Sequence, residues 1–307
     1  MQIFLSFCLK IWPLYIYIIM GYFGGRLFKI DRQSIASILF YFIVPLVFFN
    51  VALNVKIQPC YLFLPLICLI LCVSLCFIYL YFAGKLWKDG KANLIAFAAG
   101  TGNTGYFGFP LALMLFDEHQ VGIYMLGNIG FSLYDYTVGA YIITRGTYTK
   151  KQALHKVMRL PMIYAFILGL TLNYLGFKLP SEVSHFAQHL RGAYIVLGMM
   201  IIGLALANLE AYKIDYKFLA CFLSAKFLAA PMIVLSIITL DQNVMHIFEG
   251  NEFIYKIMIL LSIVPPAANT VVFATLNKCH PEQAAAAVLA GTVLGMVYVP
   301  AMVTWLI

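Results

Sequence analysis

The chain consists of long unbroken apolar runs separated by short polar punctuation. That alternation confines it to structures that satisfy their own backbone away from water. Runs of about twenty apolar residues match the length an α-helix needs to cross the hydrocarbon of a bilayer. Apolar residues make up 63% of the 307 and charged residues 10%, against roughly 45–50% and 25% in soluble domains. A soluble globule would have to expose that excess as patches. Soluble enzymes, nucleic-acid binders and disordered chains are therefore set aside, and a β-barrel would show short alternating strands in place of continuous runs. The sequence predicts an all-α membrane protein. Its net charge of +8 is read as loop lysines and arginines facing an anionic leaflet, with no nucleic-acid partner. Seven cysteines, an odd number lying mostly in apolar segments, do not make a disulfide framework.

Ten spans are expected, at 5–28, 33–54, 60–83, 91–116, 121–144, 156–177, 191–209, 216–240, 253–277 and 282–306. The first run continues through Phe28, contains Lys10 and lacks a small-residue cleavage site, so it is read as a span and not a leader. Of the 20 Lys and Arg residues, 14 fall in the odd-numbered loops, 5 on the other side, and Lys226 lies within a span. The excess of positive charge puts the odd loops in the cytoplasm and both termini outside.

A weak internal repeat accompanies this layout. Pro13 to Gly21 is similar to Pro161 to Gly169, and Asn103-Thr104 with Phe107 is similar to Asn269-Thr270 with Phe273, at offsets of 148 and 166. Five spans per half, an odd number, make the second half enter the membrane from the opposite side. The expectation is two inverted five-helix repeats, 1–150 and 151–307, the layout of many secondary transporters.

Spans four and nine carry the segments most able to hold a solute. Span four contains Gly100, Gly102, Asn103, Thr104 and Pro110; span nine contains Pro265, Pro266, Asn269 and Thr270. Gly and Pro interrupt helices, and irregular backbone persists at membrane depth only where it is buried or lines a cavity. The repeat offset sets Gly100 opposite Pro266, so the interruptions coincide. Asn103 and Asn269 are expected just past each break, where helix N-termini favour a carboxylate or another anion. The alternative is close helix packing by small residues.

These residues also resemble a known family. Asn103-Thr104 followed by Phe109-Pro110, Pro266 followed by Asn269-Thr270, and Phe40 to Phe48 around Pro45 are similar to motifs of the auxin efflux carrier family, whose bacterial members include malate and malonate permeases. The resemblance covers essentially the whole chain. It implies crossed broken helices at spans four and nine, a transport part that moves against a scaffold, carriage of a small organic anion, a possible homodimer and a bacterial inner-membrane location. The loop from Arg145 to Arg159 is short, unlike the long central loop of plant auxin carriers.

Two ionisable residues lie within spans, Asp135 and Lys226. Charges at that depth are costly and face a cavity or a partner. Asp135 is read either as taking a proton during transport or as half of a structural ion pair. Lys226 is read either as offsetting the substrate's charge or as snorkelling to the boundary. Asn50, beyond Pro45, is a further candidate for contacting solute, and Asn128 stands seven residues before Asp135 on the same face. Asn54, Asn173 and Asn208 fall near span ends. Cys68, Cys72 and Cys76 share one helix face and are read as packing, with no metal or other cofactor expected beyond coupling to H+ or Na+. The expected function is a secondary transporter and not an enzyme. A sodium- or proton-coupled carrier of a related crossed-helix fold and a non-transporting sensor are the rivals.

Overall fold

Aspartates in the polar punctuation start several helices. In the computed structural model, which describes residues 2–54, 58–144, 151, 155, 158–159, 161–207, 215–248 and 251–306, Asp31 accepts from the amides of Gln33 and Ser34 at 3.1 and 2.8 Å. Asp89 accepts from Lys91 N at 3.1 Å, and Asp215 from the amides of Lys217 and Phe218, each at 3.1 Å. Each carboxylate satisfies amide groups that the first helical turn leaves unpaired.

The helices are α1 (Gln2–Phe28), α2 (Arg32–Ile38), α3 (Val44–Asn54), α4 (Phe63–Leu86), α5 (Gly90–Gly100), α6 (Phe109–Leu115), α7 (Glu118–Tyr134) and α8 (Ala140–Ile143). They continue with α9 (Pro161–Tyr174), α10 (Ser181–Ala207), α11 (Tyr216–Ser224), α12 (Ala230–Leu240), α13 (Glu252–Ile263), α14 (Asn269–Leu276) and α15 (Pro281–Leu306). The described residues contain no strand. Among the described residues, five helical segments are long and apolar enough to cross a membrane: Arg32–Asn54, Pro59–Leu86, Phe186–Ala207, Tyr216–Met245 and Pro281–Leu306. These match expected spans two, three, seven, eight and ten, while expected spans one, four, five, six and nine are not in that set. Spans four and nine are interrupted: α5 stops at Gly100, and α13 stops at Ile263. Asn208 and most of the basic loop after Arg145 lie outside the described residues.

Several of the longer segments contain a widened π-turn, and three of these share a cause. The π-turns Leu39–Ile43, Thr104–Gly108 and Ala225–Ala229 each end two residues before a proline, Pro45, Pro110 and Pro231. A proline lacks the N–H that would reach back four residues, and its ring displaces that carbonyl, so the preceding turn widens. The carbonyl released by Pro231 belongs to Phe227, and the hydroxyl of Tyr298 donates to it at 2.9 Å.

The chain forms two compact units. One comprises Met1–Gln58, Gly105–Leu126 and Arg159–Asn208, the other Pro59–Thr104, Gly127–Met158 and Leu209–Ile307. Each therefore takes segments from both halves of the sequence. In the first unit α1 packs on α10 with almost no side chain between the backbones: a Cβ at Gly203 would overlap the Ile18 carbonyl, and one at Gly21 would overlap that of Met200. The second unit has an aromatic core in which Phe97 of α5 meets Phe273 of α14 at a ring-centroid distance of 4.9 Å, with Phe218 and Phe222 of α11 buried in the same cluster.

Two measurements check this account. Gly203→Ala is expected to lower the melting temperature in detergent, because forcing apart packed backbones costs about 1–3 kcal/mol. On the same helix Gly192, whose added Cβ would meet nothing within 4 Å, is expected to be neutral or stabilised by up to about 1 kcal/mol as alanine. The second test concerns Asp215. A hydrogen bond from Lys91 at 2.9 Å, followed by the Phe218 amide, holds its carboxyl below the ordinary value of 3.8. The carboxylate's contribution is thus fully present above that ordinary value and lost as pH falls through the lowered one. Asp215→Asn, which keeps a capping side chain, is expected to melt slightly below the wild type at pH 6, by about 1 kcal/mol or less, with the two curves converging in acid.

Candidate functional site

The two interruptions lie in the second unit and meet. After α5 the backbone is extended at Thr101, and residues 101–103 are non-helical; after α13, residues 264–268 are non-helical. Asn103 N donates to the Pro265 carbonyl at 2.9 Å. Each break therefore supplies part of what the other lacks, since buried backbone groups must be paired. The other amides at these ends are also engaged locally. Thr104 N donates to Gly102 O at 2.8 Å, Thr270 N to Ala267 O at 3.1 Å and Val271 N to Ala268 O at 3.2 Å. Any solute at this place would therefore meet side chains more readily than these amides.

The carbonyls at the end of α5 are satisfied from other helices. The hydroxyl of Tyr134, the last residue of α7, donates to Ala96 O at 3.2 Å and to Phe97 O at 3.1 Å. Lys226 Nζ donates to the Thr101 carbonyl. Gly100 makes this end possible, because a Cβ there would overlap the Tyr134 ring and lie 2.5 Å from Cys72 O. Gly102 has a similar role, since its added Cβ would lie 3.1 Å from Val264 and 3.4 Å from Lys226 Nζ. At the second break the prolines rest on bare backbone of α15. A Cβ at Gly291 would lie 2.5 Å from Pro266 Cγ, and one at Gly295 would lie 2.9 Å from Pro265 Cβ.

Polar burial concentrates here. Of ten buried polar or charged residues among those described, seven belong to this region: Thr101, Asn103, Thr104, Asn128, Asp135, Lys226 and Thr270. Thr104 Oγ1 donates to Asn128 Oδ1 at 2.6 Å. Asp135 opens the π-turn Asp135–Gly139, and its carboxylate faces Thr101, Lys226 and Asn269. Three side-chain oxygens in this region, Asp135 Oδ1, Thr101 Oγ1 and Thr270 Oγ1, are buried without a hydrogen bond of good geometry. The contrast with Asp241 is instructive. That buried carboxylate accepts from Ile247 N at 2.8 Å, Phe248 N at 3.3 Å and the Tyr255 hydroxyl at 2.7 Å, which is a closed structural arrangement.

Most residues singled out in the sequence thus gather in one place. Asn103, Thr104, Asn269, Thr270, Asp135 and Lys226 surround the joined breaks with Gly100, Gly102, Pro265 and Pro266. Asn269 is the first residue of α14, while Asn103 stands one residue before its helix resumes. Pro110 lies beyond the break, in the first turn of α6. Asn50 belongs to the other unit, where its Oδ1 is buried and unpaired. Asp135 and Lys226 feel each other's charge but do not form an ion pair within 4.0 Å. Tyr134 and Gly291 with Gly295 join this region only in three dimensions. The small-residue spacing of the two glycines was a readable signal, whereas the tyrosine, beside Asp135, had none apart from that neighbour.

The Thr104–Asn128 bond gives a direct test. Thr104→Val leaves the Asn128 oxygen buried without its donor, at a cost of about 1–3 kcal/mol. Thr104→Val with Asn128→Leu is expected to melt above the sum of the two single losses. Strict additivity in that double-mutant cycle would remove the bond from the structure's support.

Residues 145–303 match the family described as membrane transport protein. An uncharacterized transporter of Methanocaldococcus jannaschii is 26% identical over 297 residues, covering 92% of this chain and 94% of that protein. An uncharacterized transporter of Methanothermobacter thermautotrophicus is 21% identical over 239 residues, covering 77% and 76%. With two interrupted apolar helices joined at a buried polar cluster and a family match over just over half its length, the chain belongs to the membrane transport protein family of auxin efflux carriers.

Proposed function

We propose that this protein is a secondary carrier that moves a small organic anion, a mono- or dicarboxylate, by alternating access. The observation that carries this reading is the pair of interrupted helices joined from Asn103 N to Pro265 O amid buried polar side chains. Interrupted helices at corresponding positions of two halves mark transporter sites. In this reading the chain crosses the cell membrane ten times as two inverted five-helix repeats, with both termini outside. The two compact units support the repeat in part, since Met1–Gln58 and Arg159–Asn208, the opening stretches of the two halves, share one unit, whereas Gly105–Leu126 joins them without a counterpart. The unit holding both breaks is the transport part and the other is the scaffold. Asn103, Thr104, Asn269 and Thr270 contact the solute, Lys226 offsets its charge, and Asp135 takes a proton. The open Oδ1 of Asp135 supports that last role, because a protonated carboxyl needs a place for its proton.

Uptake of radiolabelled malate, malonate and indole acetate into proteoliposomes tests the reading, with a pH gradient or a Na+ gradient imposed separately. Wild-type flux is expected to saturate. Asn103→Ala and Asn269→Ala are expected to lower flux at limiting substrate about 10–100-fold, the loss of one or two hydrogen bonds to a charged group. Asp135→Asn is expected to abolish the response to the pH gradient. Absence of flux for every carboxylate would overturn the substrate class, and unchanged flux in both asparagine variants would overturn the site. Binding of a carboxylate without flux would mark a sensor and not a carrier.

A further inference from the structure

Building on the proposed transport site, we propose that the ammonium of Lys226 is a tethered cation: it fills the position at the end of α5 where a bound Na+ would otherwise sit, so transport runs without sodium. In carriers with interrupted helices, unwound carbonyls and the negative C-terminal ends of half-helices are what coordinate a cation. Thr101 supplies such a carbonyl, directly after the last residue of α5, and Lys226 Nζ donates to it.

Three further features make this a built position. The side chain does not snorkel: Lys226 is 2% exposed, among the most buried large residues in the molecule. The ammonium lies against Gly102, whose added Cβ would just touch Nζ at 3.4 Å. The mount is held on several sides. The π-turn carrying Lys226 is shaped by Pro231, the Tyr298 hydroxyl holds its Phe227 carbonyl at 2.9 Å, and Tyr79 and Ser224 share a hydrogen bond at 3.0 Å just before it.

The surroundings are those a cation requires. The negative group facing Lys226 is Asp135, and Cys72 is the other titratable neighbour. The buried oxygens of Thr101, Asp135 and Thr270 that lack a hydrogen bond of good geometry belong to the same region. Lys226 does not close an ion pair with Asp135, so its charge serves the helix end and any anion bound beside it.

The test uses purified full-length protein in detergent and in proteoliposomes, in NaCl or choline chloride at equal ionic strength. The wild type is expected to show the same melting temperature and carboxylate flux in both salts. In Lys226→Ala the ammonium and its stem are gone, leaving room for an ion. This variant is expected to melt a few degrees higher in NaCl than in choline chloride, as any ligand selective for the folded state would produce, and its flux is expected to be at least tenfold greater with Na+. Lys226→Met fills the space without the charge and is expected to lose flux tenfold or more in both salts. Sodium-dependent melting or flux in the wild type would overturn the proposal. So would a folded Lys226→Ala indifferent to Na+, or a Lys226→Met that transports at the wild-type rate. If neither variant folds, Lys226→Gln, which removes the charge and keeps part of the stem, is read as Lys226→Met is, and transport by it at the wild-type level would overturn the proposal. If the wild type moves no carboxylate, the substrate reading fails, while the melting comparison still reports on the cation position.

Discussion

The hydrogen bond from Asn103 N to the Pro265 carbonyl holds together two segments that a helical membrane protein has most reason to avoid. A continuous helix satisfies its own backbone, and an interrupted one leaves donors and acceptors that cost several kcal/mol each in hydrocarbon. Here one interruption supplies the donor and the other the acceptor. Pro265 and Pro266 cannot donate, so a carbonyl from this segment paired with an amide from the other is the natural match. The remaining acceptors of α5 go to the Tyr134 hydroxyl and to Lys226. The glycines then follow from the bond, because Gly100, Gly102, Gly291 and Gly295 all occupy places where another side chain would push the breaks apart.

Around that joint the protein buries more polarity than it closes. Asp241 shows how the same chain treats a carboxylate with a purely structural task, giving it three donors. Asp135 faces Thr101, Asn269 and Lys226 yet keeps Oδ1 unpaired. A fully satisfied network stabilises one state; a partly satisfied one leaves capacity for a ligand, an ion or a proton. Each position that the proposed mechanism requires to change occupancy lies in this less closed arrangement.

The sequence displayed the helices and both interruptions, because hydrophobic run length, Gly and Pro are local signals. It also displayed Asp135 and Lys226 as anomalies, since a charge in an apolar run is conspicuous. It did not reveal what these residues do with each other. Lys226 had snorkelling as an equal reading, and only three-dimensional contact shows its ammonium on Thr101. Pro110 reads as part of the break because it belongs to the same Gly- and Pro-rich stretch, whereas its physical effect is the widened turn before it. Pro231 has the same effect next to Lys226, and a lone proline in an apolar run does not announce it. Tyr134 is one of twenty tyrosines, and nothing local distinguishes the one that caps a helix end from those at an interface.

That helix end also places a demand on biogenesis. The acceptors at the close of α5 wait for a tyrosine on α7 and a lysine beyond α11, and the Asn103 amide waits for a carbonyl synthesised about 160 residues later. Until the second break leaves the ribosome, the first has no partner and must remain hydrated or held by the insertion machinery. The interrupted span is thus made early and completed late, and the nascent chain stays vulnerable at this point for much of its synthesis.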